Sequence, residues 1–77
     1  MKIISICDDQ DICIGLQLAG IEGNVAHIPE EFSLAFNNAL IDRQVAIVVI
    51  TKELAQKYNK QLNDVRLNRS IPLIVEL

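Results

Sequence analysis

Residues 45–50 read Val45-Ala46-Ile47-Val48-Val49-Ile50, a run without a polar side chain. A strand with one wet face alternates apolar and polar residues. A run with no alternation reads as a strand buried on both faces, the mark of a central strand in a parallel sheet. Asp42-Arg43-Gln44 makes the turn into it, and Thr51 follows where a helix cap belongs. Parallel neighbours are joined by crossovers, so the segments on either side should read as helices leading to further strands.

Upstream, Pro29-Glu30-Glu31 reads as a helix start, because proline suits the first turn and acids there face the positive end of the dipole. Phe32, Ala35, Phe36, Ala39 and Leu40 then recur at helical spacing, a stripe that packs on a sheet; Leu34 and Ile41 lie off it. Asn24–Ile28 (NVAHI), between Gly23 and Pro29, reads as strand two, with His27 inside it. The chain opens on Ile3-Ile4-Ser5-Ile6-Cys7, a β-branched run that reads as strand one. Asp8, Asp9 and Asp11 follow and can cap a helix carrying Ile12, Cys13, Ile14, Leu16, Leu18 and Ala19, which stops at Gly20. Downstream of the central run, Leu54, Tyr58, Leu62 and Val65 extend one helix from Thr51, its other side solvated by Lys52, Lys57, Lys60 and Arg66. Ile71–Leu77 (IPLIVEL) reads as the last strand, with Pro72 near its start as at a sheet edge.

The order βαβαβαβ calls for an α/β fold: a four-stranded parallel sheet with right-handed crossovers and the flavodoxin- or receiver-like strand order 2-1-3-4. Handedness places helix one on one face and helices two and three on the other. One short helix does not cover a four-stranded face, so the half over strands three and four is expected to lie open. Helix one carries a second apolar stripe, Ile14, Leu18 and Ile21, beyond the set that faces the sheet. Both features call for contact with something outside this segment.

The bulk composition agrees. At 77 residues the chain is expected to form a single domain over 1–77, and a domain this small buries only roughly 60% of the surface its unfolded chain exposes. Yet it is 51% hydrophobic with a mean hydropathy of +0.29. A net charge of −3 and a pI near 4.9 argue against nucleic acid, which needs a basic patch. No apolar run approaches the length of a membrane span, and no signal peptide precedes strand one. Cys7 and Cys13 read as reduced core thiols, and with one histidine they match no zinc pattern.

Three phosphate chemistries can be tested at the first turn. A two-component receiver would use Asp8-Asp9 for magnesium, but it needs an aspartate at the end of strand three, where Val49-Ile50-Thr51 stands. A phosphotransferase-system IIB domain carries a nucleophilic cysteine near the position of Cys7; here the surrounding acids would oppose thiolate formation and repel phosphate. A tyrosine-phosphatase loop needs an arginine six residues after its cysteine, and Cys13 occupies that place. No catalytic, cofactor or metal residues emerge, so the reading is a binding or assembly module. The IIB-like or degenerate-receiver domain is the alternative, and a homodimer that pairs open faces is another.

An ordered set of segments resembles a known family. These are Lys2 to Asp9; Gly15-Leu16-Gln17-Leu18-Ala19-Gly20-Ile21; Pro29-Glu30-Glu31; Val45 to Thr51; and Pro72 to Leu77. Together they resemble the F subunit of the V-type and A-type rotary ATPases, in register over essentially the whole chain. That family continues past the last strand into a C-terminal helix, which the chain, stopping at Leu77, does not contain. The resemblance implies a non-catalytic, cytoplasmic member of the central rotor stalk, peripheral to the membrane and not inserted in it. It implies no cofactor, binding to the coiled coil of the D subunit, a place next to the catalytic head, and help in coupling ATP hydrolysis or synthesis to proton or sodium transport. The expected interface is the stripe Ile14, Leu18 and Ile21 or the open sheet face, with Leu34 and Ile41 as lesser candidates.

Overall fold

The computed structural model describes residues 1–77. Strands β1 (Lys2–Cys7), β2 (Glu22–Val25), β3 (Val45–Ile50) and β4 (Leu73–Glu76) form one sheet in the order β2-β1-β3-β4, every pair parallel. Helices α1 (Gln10–Leu18), α2 (Pro29–Ile41), α3 (Lys52–Lys57) and α4 (Asn59–Asn68) occupy the connections. The α/β class, the parallel sheet and the order 2-1-3-4 are those read from the sequence.

Pairing puts Ile4 beside Val48, Ile6 beside Ile50, and Val48 beside Ile74. These side chains share one face because neighbours across a ladder point the same way. On that face they form a single core cluster with Phe32 and Phe36 of α2, Leu54 of α3, and Leu62 and Val65 of α4. Phe32 is its centre: its ring lies 5.5 Å from that of Phe36 and 4.0 Å from that of Tyr58, the latter nearly coplanar at 7°.

Three elements depart from the sequence reading. The second strand is Glu22–Val25, not Asn24–Ile28. Pairing runs one residue further, the Ala26 amide donating to the Cys7 carbonyl at 2.8 Å, and then stops. The next amide, on His27, donates to the Glu31 carboxylate at 2.8 Å instead of to a strand, so His27 belongs to the entry of α2. The third helix breaks at Tyr58 (φ −108°, ψ 31°) into α3 and α4, which lets the Tyr58 ring lie on Phe32 while Leu62 and Val65 still reach the sheet. The last strand is confined to Leu73–Glu76, with Pro72 just ahead of it.

The outer edge of β4 is partly covered. Leu77 donates its amide to the Ile50 carbonyl. By alternation Leu73 and Val75 aim their main-chain groups at β3, and Ile74 and Glu76 aim theirs outward. The Ile74 carbonyl there accepts from Nη2 of Arg66 at 3.4 Å.

Candidate partner interface

The other face of the sheet carries only α1. The helix starts at Asp9, whose carboxylate accepts from the Asp11 amide at 2.8 Å and satisfies one free donor of the first turn. It stops at Gly20 (φ +88°), where the Gly20 amide bonds back to Gln17 and the Ile21 amide to Leu16. This is the paired bond pattern of a glycine-terminated helix. Cys13 points down onto the sheet, its sulfur 4.0 Å from Oγ of Ser5 on β1. Cys13 and Gln17 both lie against Gly23 of β2, where a β-carbon would run into them. The helix therefore sits over β1 and β2.

The rotation of α1 follows from that contact. At 100° per residue, Leu16 and Ile12 fall on the flank of Cys13 opposite to Gln17, on the β3 side. Beyond them the cover thins: Val49 of β3 is still buried and Ile47 half-buried, while Leu73 and Val75 of β4 are 58% and 39% exposed. The exposed strip therefore runs along β4 and the Ile47 end of β3, narrower than two full strands. The result is an apolar shelf with the α1 flank as its wall. Ile12 and Leu16 were not among the interface residues expected from sequence; their i, i+4 spacing was visible, but the side on which it falls depends on how α1 is turned.

The expected interface residues do not form one patch. Ile14 and Leu18 are exposed, Leu18 to 87%, on the α1 flank that looks away from the shelf toward the β2 edge. Ile21 is half-buried just past the helix stop. Leu34 and Ile41 are exposed on α2, across the sheet from α1; Leu34 lines a shallow depression with Val25, and Ile41 lies at the end of its helix.

The first turn offers little to phosphate chemistry. Cys7 is fully buried, and burial pushes its thiol up to about 11, with Cys13 and Asp8 adding to the effect against a lowering hydrogen bond from Ser5. The Thr51 side chain does not cap α3, as the sequence had suggested; its buried hydroxyl accepts from the Asp8 amide at 3.4 Å and ties the end of β3 to the end of β1. No three His, Cys, Asp or Glu side chains gather into a group that could hold a metal ion. No helix is long and apolar enough to cross a membrane.

Residues 3–77 match the model of a family described as ATP synthase (F/14-kDa) subunit. The chain belongs to that family. No curated protein and no solved structure shows a significant match. Membership of the ATP synthase F subunit family agrees with the resemblance carried by the five sequence segments, and it makes the chain one component of a rotary ATP synthase complex. A family defined by its place in an assembly suits a domain that leaves an apolar strip of one sheet face, along β4, exposed.

Proposed function

We propose that the chain is a non-catalytic component of the central rotor stalk of a V/A-type rotary ATPase, holding the coiled coil of the D subunit and turning with it. The apolar shelf along β4, with Leu73 and Val75 exposed beside half-buried Ile47, is the observation that carries this reading. Family membership supplies an assembly in which a helix from another subunit can lie along it. In that position the protein works peripherally to the membrane, without inserting, and acts by mechanical coupling of ATP turnover to ion movement.

Ile14, Leu18 and Ile21 provide a second contact where the coiled coil reaches the far flank of α1. Leu34 and Ile41, across the sheet, remain available to neighbouring subunits such as those of the catalytic head. A homodimer through open faces is the competing use of the same surface, and one experiment separates the two.

The test is light scattering after size-exclusion chromatography, on this chain alone and mixed with a folded coiled-coil D subunit from the same source. A one-to-one complex that is lost with Val75→Asp supports the reading. A complex lost with Leu18→Asp and indifferent to Val75→Asp moves the contact to the outer flank of α1. A dimer of the chain alone, with no complex, overturns it.

A further inference from the structure

Away from the shelf, at the end of the sheet where the strands begin, lies an open cleft of about 660 Å³. The end of α2, the turn into β3 and the loop from α4 to β4 enclose it, and Ile41, Arg43, Arg69 and Ile71 stand in its lining. The two isoleucines are 77% and 58% exposed. The two arginines have no acidic partner, since the ion pair of the molecule joins Lys2 to Asp42. Arg69 is held in place by one bond, Nη1 donating to the Leu40 carbonyl at 3.1 Å, and this leaves most of its donor fork free. Arg43 makes no side-chain hydrogen bond to the rest of the chain, and the only acid of the lining, Asp42, is already engaged by Lys2 and the Gln44 amide.

The cleft is thus cationic on a chain whose net charge is −3. The acids Asp8, Asp9, Asp11, Glu30, Glu31 and Glu53 stand at the other end of the sheet, at the starts of α1, α2 and α3. Two guanidinium groups are too few for a nucleic-acid backbone. The carboxyl ends of α2 and α4, which border the cleft, oppose any anion, and oppose a doubly charged phosphate more than a singly charged carboxylate. Planar forks flanked by large apolar side chains fit carboxylates carried on an amphipathic chain.

We propose that this cleft docks an acidic segment of a partner polypeptide, its carboxylates on Arg43 and Arg69 and an apolar side chain between Ile41 and Ile71. The contact is separate from the shelf and does not depend on what lies there.

The test is an amide and methyl NMR titration of the full chain with a synthetic peptide of Glu and Leu residues, beside the same peptide with Gln for Glu. The expected result is saturable shifts at Ile41, Arg43, Arg69 and Ile71, weakened about tenfold for the Gln peptide and for Arg43→Glu, and weakened by less in Arg69→Lys, which keeps the charge and loses the fork. Arg43→Gln serves as the second variant, with a smaller loss expected, should the charge reversal disturb the fold. Equal binding of both peptides, shifts elsewhere, or no saturable shift overturns the proposal. So does concentration-dependent broadening at these residues without peptide, which would make the cleft a contact between copies of the chain.

Discussion

Cys13 Sγ fills the space in which a side chain on Gly23 would begin. This contact lets α1 lie close on β2 and, through the rotation it imposes, decides which flank of the helix faces β3 and the exposed strip of β4. Gly23→Ala should therefore destabilise the chain by about 1–3 kcal/mol, the usual range for overfilling a packed site. Adding Cys13→Ala should recover part of that loss, because the two positions share one space. Urea unfolding of the single and double variants measures both effects.

Burial favours the neutral thiol of Cys7, so the folded chain keeps this proton to higher pH than the unfolded chain does. The stabilisation is complete below the ordinary value of 9.0 and is lost as pH rises from there to about 11. The alkaline fall in stability should be shallower in Cys7→Ala. A rise of two units lowers the thiolate fraction at neutral pH about a hundredfold, so alkylation of Cys7 by iodoacetamide should be at least that much slower in buffer than in urea. Fast alkylation of the folded chain would instead favour the phosphoryl-accepting alternative.

Leu18 and Phe36 are both large and apolar, but one is almost wholly exposed and the other sits in the core. Leu18→Asp should change stability by no more than about 0.5 kcal/mol, as surface substitutions do. Phe36→Ala should cost about 3–5 kcal/mol. Thermal or urea unfolding of the two variants provides the control for binding work: a loss of complex with Leu18→Asp can then be assigned to the surface and not to unfolding.

Lys2 and Asp42 meet at 2.9 Å across the start of the sheet. The Gln44 amide and the Lys2 ammonium hold the Asp42 carboxyl below its ordinary value of 3.8. The contribution is therefore present above that value and lost as pH falls below it. Asp42→Asn should flatten the acid limb of the stability profile slightly, and high salt should shrink the difference because both groups face water.

The parts of the fold fixed by local pattern were legible in the sequence. Val45–Ile50 announced a central parallel strand, the Phe32–Leu40 stripe announced a helix on a sheet, and alternation gave the strand order. Counting helices against faces also pointed to an open region over β3 and β4, which holds for β4 but not for Val49 of β3, which is buried. Features set by distant contacts were not legible. Glu22 and Gly23 have poor strand propensity, yet they join β2 because α1 needs a residue without a side chain beneath Cys13. The break at Tyr58 depends on Phe32, which belongs to another helix. For the same reason spacing shows that α1 has two apolar flanks, Ile12 with Leu16 and Ile14 with Leu18, and only the seating of the helix on Gly23 shows which one lies toward β3.

The Arg66 guanidinium on the Ile74 carbonyl bears on how the molecule behaves when crowded. An unprotected strand edge beside exposed Leu73 and Val75 is a template on which identical chains can add strand to strand without limit. A charged side chain laid along that edge interrupts the template at its middle. Arg66 thus guards solubility more than it supports the fold, and its removal should show first as aggregates in concentrated storage, before any fall in melting temperature.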